Sequence, residues 1–173
     1  GFRHEIRACV AFFTRIPISA DPLRSQSYLG HAPLVGAGVG TGAALIIVGG
    51  QVPFGVVAAV GLALLFVTLA TGALHEDGFM DVCDGFGLLR DRTETIKIMR
   101  DPQCGAFAVV GIVMLVGIRW STLIELAKLT DGGWPLLVAI LVAAHGISRW
   151  AAVWPITHLA YVGGDGRSAG VVT

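Results

Sequence analysis

The chain has 173 residues, of which 54% are hydrophobic and 14% are charged, and its mean hydropathy is +0.75. Soluble domains carry about 25% charged residues, so this composition excludes an ordinary soluble domain and indicates an integral membrane protein. The net charge is zero, which argues against a nucleic-acid partner. The three cysteines form no CxxC pair, so neither a disulfide framework nor a zinc site is predicted.

The first 27 residues combine basic and apolar side chains. Four arginines are interleaved with apolar residues, and Pro17 and Pro22 interrupt the segment. We expect a short amphipathic helix on the membrane surface, with its arginines toward the lipid headgroups. A plain soluble lead-in is the alternative. The arginines are Arg3, Arg7, Arg15 and Arg24.

A long apolar run extends from Ala32 to Leu74 without any charged residue or histidine. One membrane span needs about 20 apolar residues, so the run predicts two spans, Ala32–Gly50 and Phe54–Leu74. Gln51–Pro53 is expected to form the turn between them. Glycines recur at two-residue spacing in the first span, and pairs four residues apart allow close helix packing. These are Gly36, Gly38, Gly40 and Gly42.

The second half of the chain predicts two further spans. Pro102–Ile118 starts with a proline and either ends there or continues past Arg119 to Leu129. Trp134–Ser148 is the fourth span, and Trp150–Gly164 either extends it or starts another. We therefore expect an all-α fold, a polytopic transmembrane helical bundle with an amphipathic N-terminal segment, forming a single domain over residues 1–173.

The arginine distribution predicts the orientation of this bundle. Arginines crowd the N-terminal segment, the loop between the second and third spans, and the end of the fourth. Two spans separate each cluster from the next, so all three lie on one side, which the positive-inside rule makes the cytoplasm.

The stretch His75–Gly87, HEDGFMDVCDGFG, places four carboxylates within nine residues directly after an apolar run. On a helix, Asp81 lies about 40° from Asp77 and Asp84 about 20° the other way, so all three project from one face. Glu76 lies about 100° away and is a weaker candidate. Such close charges repel, and oxygen ligands favour a hard divalent cation. A solvated acidic loop that caps a helix is the alternative.

A basic block follows over residues 88–101. Four cations next to an acidic site indicate phosphate binding, and Lys97 and Arg100 are spaced to share a helix face. A positive cluster that only sets membrane topology is the alternative. In the preceding acidic stretch, Gly78 and Gly85 have no side chain and so leave room for a ligand beside the carboxylates. The four cations are Arg90, Arg92, Lys97 and Arg100.

These two blocks together carry a resemblance to a known family. HEDGFMDVCDGFG followed by IKIMRDPQCGAFA (Ile96–Ala108) resembles the cobalamin synthase, or adenosylcobinamide-GDP ribazoletransferase, family. FFTRIPI, YLGHAPLVGAGVG and Arg149-Trp150 followed by Tyr161 are similar to other family segments. Family members are usually longer, so the chain looks C-terminally incomplete. The matching residues are His75, Asp77, Gly78, Asp81, Asp84 and Gly85 in the first block, and Met99, Arg100, Asp101 and Gly105 in the second.

The resemblance implies a reaction, a cofactor and a location. In this family a ribose hydroxyl of α-ribazole, or of its 5′-phosphate, attacks the cobinamide-linked phosphorus of adenosylcobinamide-GDP, and GMP leaves. The family depends on magnesium and sits in the bacterial cytoplasmic membrane. The aspartate motif would then face the cytoplasm, and the lipid bilayer would hold the amphipathic corrinoid.

Residue roles follow from the motif and the resemblance together. Asp81 and Asp84 are expected to be catalytic as metal ligands, and Asp101 or His75 to accept the proton of the attacking hydroxyl. His75 is equally suited to orienting the aspartates. The expected metal ligands are Asp77, Asp81, Asp84 and Glu76. The expected substrate contacts are Lys97, Arg100, Gly78, Gly85 and Gly105.

Other functions compete with this interpretation. Asp81-Val82-Cys83-Asp84-Gly85 looks like the opening of the CDP-alcohol phosphotransferase motif, but the Ala-Arg that usually follows is absent. A non-enzymatic cation-binding membrane protein, such as a transporter or channel, would need carboxylates within its spans. A scaffold subunit with a solvated acidic loop leaves the basic block unexplained. The oligomeric state stays open, a homo-oligomer included.

Overall fold

The computed structural model describes residues 1–19, 26–87, 91–130 and 133–159, without the side chains of residues 26 and 27. These residues form helices and no strand, which confirms the predicted all-α fold. Three of the helices are long and apolar enough to cross a membrane. Arg24, Arg90 and Tyr161 lie outside the described residues. The helices are α1 (Phe2–Phe13), a 3-10 helix (Gln26–His31), α2 (Ala32–Thr71), α3 (Leu74–Gly87), α4 (Arg92–Ile98), α5 (Ala106–Leu129) and α6 (Trp134–His158).

Helix α2 is a hairpin of two apolar limbs. Gly55 breaks the helix with φ 78° and ψ 157°, a conformation that side chains with a Cβ rarely adopt. A Cβ atom added at Gly42 would overlap the Phe66 ring, and one added at Gly50 would contact Ala59, so the limbs run antiparallel. The break therefore lies at Gly55 rather than at the predicted Gln51–Pro53, because a proline kinks a helix with its own φ still negative, whereas the reversal here uses the positive φ of a glycine.

The first limb of α2 packs most extensively against α6. A Cβ atom added at Gly36 would overlap the carbonyl oxygen of His145, and one at Gly40 would overlap that of Leu141. Gly38 instead faces open space. The pair Gly36 and Gly40 is therefore the one that lets two helix backbones approach closely.

The observed ends of α5 and α6 decide whether the predicted third and fourth spans stop early or continue. Helix α5 runs through Arg119 to Leu129, and α6 extends to His158 with Pro155 in its last turn. Helix α5 begins at Ala106 rather than at Pro102, because the preceding Gly105 is its N-cap and the Asp84 carboxylate binds the free N–H groups there.

The amphipathic helix α1 packs on the start of the bundle. Its Cys9 and Phe13 are buried, whereas Arg3 and Arg7 are exposed. The Arg15 N–H donates to the carbonyl of Ala70 at 2.7 Å, which ties the chain after α1 to the end of α2 and places it beside the start of α3.

Candidate active site

Helix α3 carries the acidic motif. Gly72 and Ala73 have φ values of 65° and 58°, so the chain turns away from α2 before α3 begins. Helix α3 then packs against α5, where a Cβ atom added at Gly111 would contact Cys83. Because the whole motif is helical, the three aspartates lie on one face, as the spacing predicts.

The aspartate face lines a cavity of about 350 Å³ between α3, the end of α4 and the start of α5. Five of the predicted site residues line this cavity, three carboxylates from α3 and two residues from the block over residues 88–101. The chain therefore brings these acidic and basic groups together although up to 24 positions separate them. They are Asp77, Asp81, Asp84, Arg100 and Asp101.

Asp84 is bound to the N-terminus of α5. Its Oδ2 accepts the Gly105 N–H at 2.6 Å, and its Oδ1 accepts the Ala108 N–H at 2.8 Å. A carboxylate at a helix N-terminus satisfies free N–H groups and interacts favourably with the helix dipole. A Cβ atom added at Gly105 would lie 2.6 Å from Asp84 Oδ1, so the close approach requires glycine. Asp84 thus holds α3 against the start of α5, where both helices line the cavity.

Asp77 and Asp81 are different, because within the described ranges neither side chain has a hydrogen bond or ion pair. Burial raises the pKa of Asp81 above its ordinary value, and the charges of Asp77 and Asp84 act in the same direction. Among the described residues, no three His, Cys, Asp or Glu side chains form a ready-made metal cluster. Helix α3 therefore gives the cavity two carboxylates without a described partner and a third that is already engaged.

The raised pKa predicts how stability depends on pH. At neutral pH the folded Asp81 is ionised at a cost that the unfolded chain does not incur, so stability falls as pH rises from the ordinary carboxyl pKa through the folded one. Asp81→Asn should therefore have a higher Tm than the wild type at pH 7 without added divalent cations, and an equal Tm below the ordinary carboxyl pKa. A thermal melt in detergent with EDTA checks this. A lower Tm for Asp81→Asn at pH 7 would contradict it.

The other residues predicted to act in catalysis or substrate binding lie in different surroundings. Asp101 Oδ1 accepts the Gln103 N–H at 2.9 Å, which stabilises the turn before α5. Lys97 is exposed on α4 and does not line the cavity. Gly78 is exposed beside open space, whereas Gly85 is buried against the Met99 side chain. Gly85 therefore serves close packing of α3 rather than substrate access.

His75 and Glu76 do not lie at the aspartate cavity. They line a second cavity of about 290 Å³, together with residues of α5 and α6. Glu76 Oε1 accepts a hydrogen bond from Arg119 Nη1 at 2.9 Å. Glu76 was predicted to bind a metal together with the three aspartates, but it lies in a different cavity from them. Burial and the Arg149 guanidinium lower the pKa of His75, although Glu76 acts in the opposite direction.

Three residues of this second cavity were not predicted as site residues from the sequence. Arg119, His145 and Arg149 are ionisable residues inside apolar helices. Such residues are costly within a bilayer and by default mark functional sites, which is the signal that would have found them.

Fold and cavity together define the class of protein. The described chain is all-helical, has three helices able to cross a membrane, and presents an aspartate-lined cavity flanked by a basic residue. The sequence profile of the cobalamin-5-phosphate synthase family matches residues 5–173. The chain belongs to this family, which confirms the resemblance seen in the two motif blocks.

Relatives of known name agree with this assignment. The adenosylcobinamide-GDP ribazoletransferase of Mesorhizobium japonicum is 35% identical over 171 residues, 96% of this chain and 64% of that protein. Those of Leptothrix cholodnii and Ralstonia pickettii are 38% and 39% identical, each over 92% of this chain and 62% of the relative. The chain thus spans somewhat less than two thirds of these relatives. No solved structure matches it.

Proposed function

We propose that this protein transfers the cobinamide phosphate of adenosylcobinamide-GDP to α-ribazole or its 5′-phosphate. The ribose hydroxyl oxygen forms the new bond to phosphorus, the bond between that phosphorus and the GMP oxygen breaks, and GMP leaves. The observation that carries the proposal is the cavity in which Asp77, Asp81 and Arg100 converge, in a chain of this family.

Magnesium fits the donor set of this cavity. The free side chains of Asp77 and Asp81 supply only carboxylate oxygens, and their like charges favour a divalent cation. Magnesium is usually held by one or two carboxylates together with substrate phosphate oxygens, so three protein ligands are not required. When bound, it would neutralise charge that develops on the diphosphate. We assign Asp84 the role of positioning α5 through the two backbone N–H groups.

The remaining steps are assigned to side chains of the same cavity. Arg100 binds the diphosphate, since guanidinium groups complement phosphate oxygens. Asp101 accepts the proton of the attacking hydroxyl, and it is preferred over His75 because it lines the aspartate cavity.

The location belongs to the same proposal. Three apolar helices of sufficient length support a multi-pass protein of the bacterial cytoplasmic membrane. The arginine-rich N-terminal segment and the block that contains Arg92 and Arg100 would face the cytoplasm under the positive-inside rule. The aspartate cavity beside that block would then open toward the cytoplasmic nucleotide pool.

The test is product formation by the purified protein. With magnesium, adenosylcobinamide-GDP and α-ribazole, we expect GMP release that stops when EDTA is added, measured by chromatography. A CDP-activated alcohol donor in parallel distinguishes the competing phosphotransferase. CMP release without GMP release would contradict the proposal, as would GMP release that is insensitive to EDTA.

A further inference from the structure

The second cavity lies among α3, α5 and α6 and is not used by the proposed mechanism. Arg119 lies near the middle of α5, and His145 near the middle of α6. The cavity therefore places ionisable side chains within two helices that are long and apolar enough to cross a membrane. Ionisable residues in such helices are expensive and are retained mainly where they bind or transport a polar group.

Three side chains that line this cavity each have a buried polar atom without a hydrogen-bond partner among the described residues. These atoms are His75 Nε2, Glu76 Oε2 and Arg149 Nη2. Arg149 as a whole is only 4% exposed and Glu76 only 8%. Buried polar atoms without a partner are uncommon in folded proteins, and the residues that carry these three all line one cavity, which indicates a missing polar occupant.

The remaining atoms of these side chains are already committed. Glu76 Oε1 accepts from Arg119 Nη1 at 2.9 Å. Arg149 Nη1 donates to His145 Nδ1 at 2.9 Å and to Ser148 Oγ at 3.0 Å. These bonds hold the free atoms in place, so the cavity has the rigid, preformed polar groups that orient a ligand.

The free atoms define the chemistry of the occupant. Two arginines and one glutamate leave a formal charge of +1 with both histidines neutral, so an anion is favoured. Arg149 Nη2 is a charged donor, suited to a phosphate oxygen. Glu76 Oε2 is an acceptor and needs a donor on the ligand, which a hydroxyl group supplies. A volume of about 290 Å³ admits a small molecule but not a corrinoid.

We propose that this cavity is a binding site for a small phosphate monoester that carries a hydroxyl group. Arg149 binds the phosphate, and Glu76 accepts a hydrogen bond from the hydroxyl. α-Ribazole 5′-phosphate has this chemistry; identifying the ligand with that acceptor rests on the proposed function, whereas binding of a phosphate monoester does not.

The experiment uses ribose 5-phosphate as the probe and the purified protein in detergent with EDTA, so that metal-dependent binding is absent. We expect a saturable rise in Tm with ribose 5-phosphate, and a much smaller one with ribose, which lacks the anion. Arg149→Lys should weaken the apparent affinity at least about tenfold, because a lysine cannot bond His145, Ser148 and phosphate in the same geometry. Arg3→Lys, an exposed substitution of the same type, should leave the affinity unchanged.

Two further variants test phosphate binding in this cavity if Arg149→Lys folds poorly. Glu76→Gln removes the negative charge and should tighten binding of inorganic phosphate several-fold. Glu125→Gln, the same change on the exposed end of α5, should not change the affinity for inorganic phosphate. Equal shifts with ribose and ribose 5-phosphate would overturn the proposal, as would weaker phosphate binding in Glu76→Gln or an equal gain in Glu125→Gln.

Measurements of KM test whether the ligand of this cavity is the phosphorylated acceptor. If the ligand is the phosphorylated acceptor, Arg149→Lys should raise the KM for α-ribazole 5′-phosphate while the KM for adenosylcobinamide-GDP stays the same. Unchanged KM values together with weakened ribose 5-phosphate binding would overturn the identification with the acceptor and leave the site itself supported. Absence of any GMP release with intact ribose 5-phosphate binding would count against the proposed function alone.

Discussion

Asp81→Asn should lower the rate of GMP release by about 10² to 10³-fold, the range seen when one electrostatic contact to a transition state is removed. Asp81 is a half-buried carboxylate without a protein partner in the described ranges, and it faces the same cavity as Asp77 and Arg100. Replacing it removes one of the two free carboxylates that would hold magnesium against the diphosphate. GMP formation under saturating substrates measures the effect.

The matched control is Glu125→Gln, the same change from carboxylate to amide on the exposed end of α5, where Glu125 pairs with Lys128. This variant should release GMP at the wild-type rate. Asp84→Asn should lower both activity and Tm, since an amide nitrogen cannot accept the N–H groups of α5. Wild-type activity in Asp81→Asn would remove the assignment of this cavity as the catalytic one.

Gly36→Ala and Gly40→Ala should each lower the free energy of unfolding by about 1–3 kcal/mol, the usual cost of overpacking a close contact. Each new methyl group would overlap a backbone carbonyl oxygen of α6, at His145 or Leu141. Backbone cannot rotate away as a side chain can, so the two helices must separate. Denaturant or thermal unfolding followed by circular dichroism measures the loss.

Gly38→Ala is the internal control, since it lies on the same limb of α2 and faces open space. Alanine is the better helix former, so this variant should be as stable as the wild type or slightly more so. Gly36→Ala should also weaken ribose 5-phosphate binding, because Arg149 is packed against Gly36. Equal stability of all three variants would mean that α2 and α6 do not pack as the structure shows.

Composition and residue spacing were sufficient to predict that the fold is helical and that the three aspartates share one helix face. Composition and the uncharged run from Ala32 to Leu74 leave helices as the way to satisfy backbone groups in an apolar setting. The positions of Asp77, Asp81 and Asp84 on one face follow from 3.6 residues per turn, which depends only on spacing. The two motif blocks were enough to identify the family.

Contacts between distant segments decided the rest. Spacing cannot show that Asp84 meets the N-terminus of α5, 21 positions along the chain, and so is engaged, while Asp77 and Asp81 have no side-chain partner in the described part of the chain. Nor can it show that Glu76 pairs with Arg119, 43 positions away. Which side of α3 faces which helix is set by packing against α5, α4 and α2, and that packing exists only once the bundle has formed.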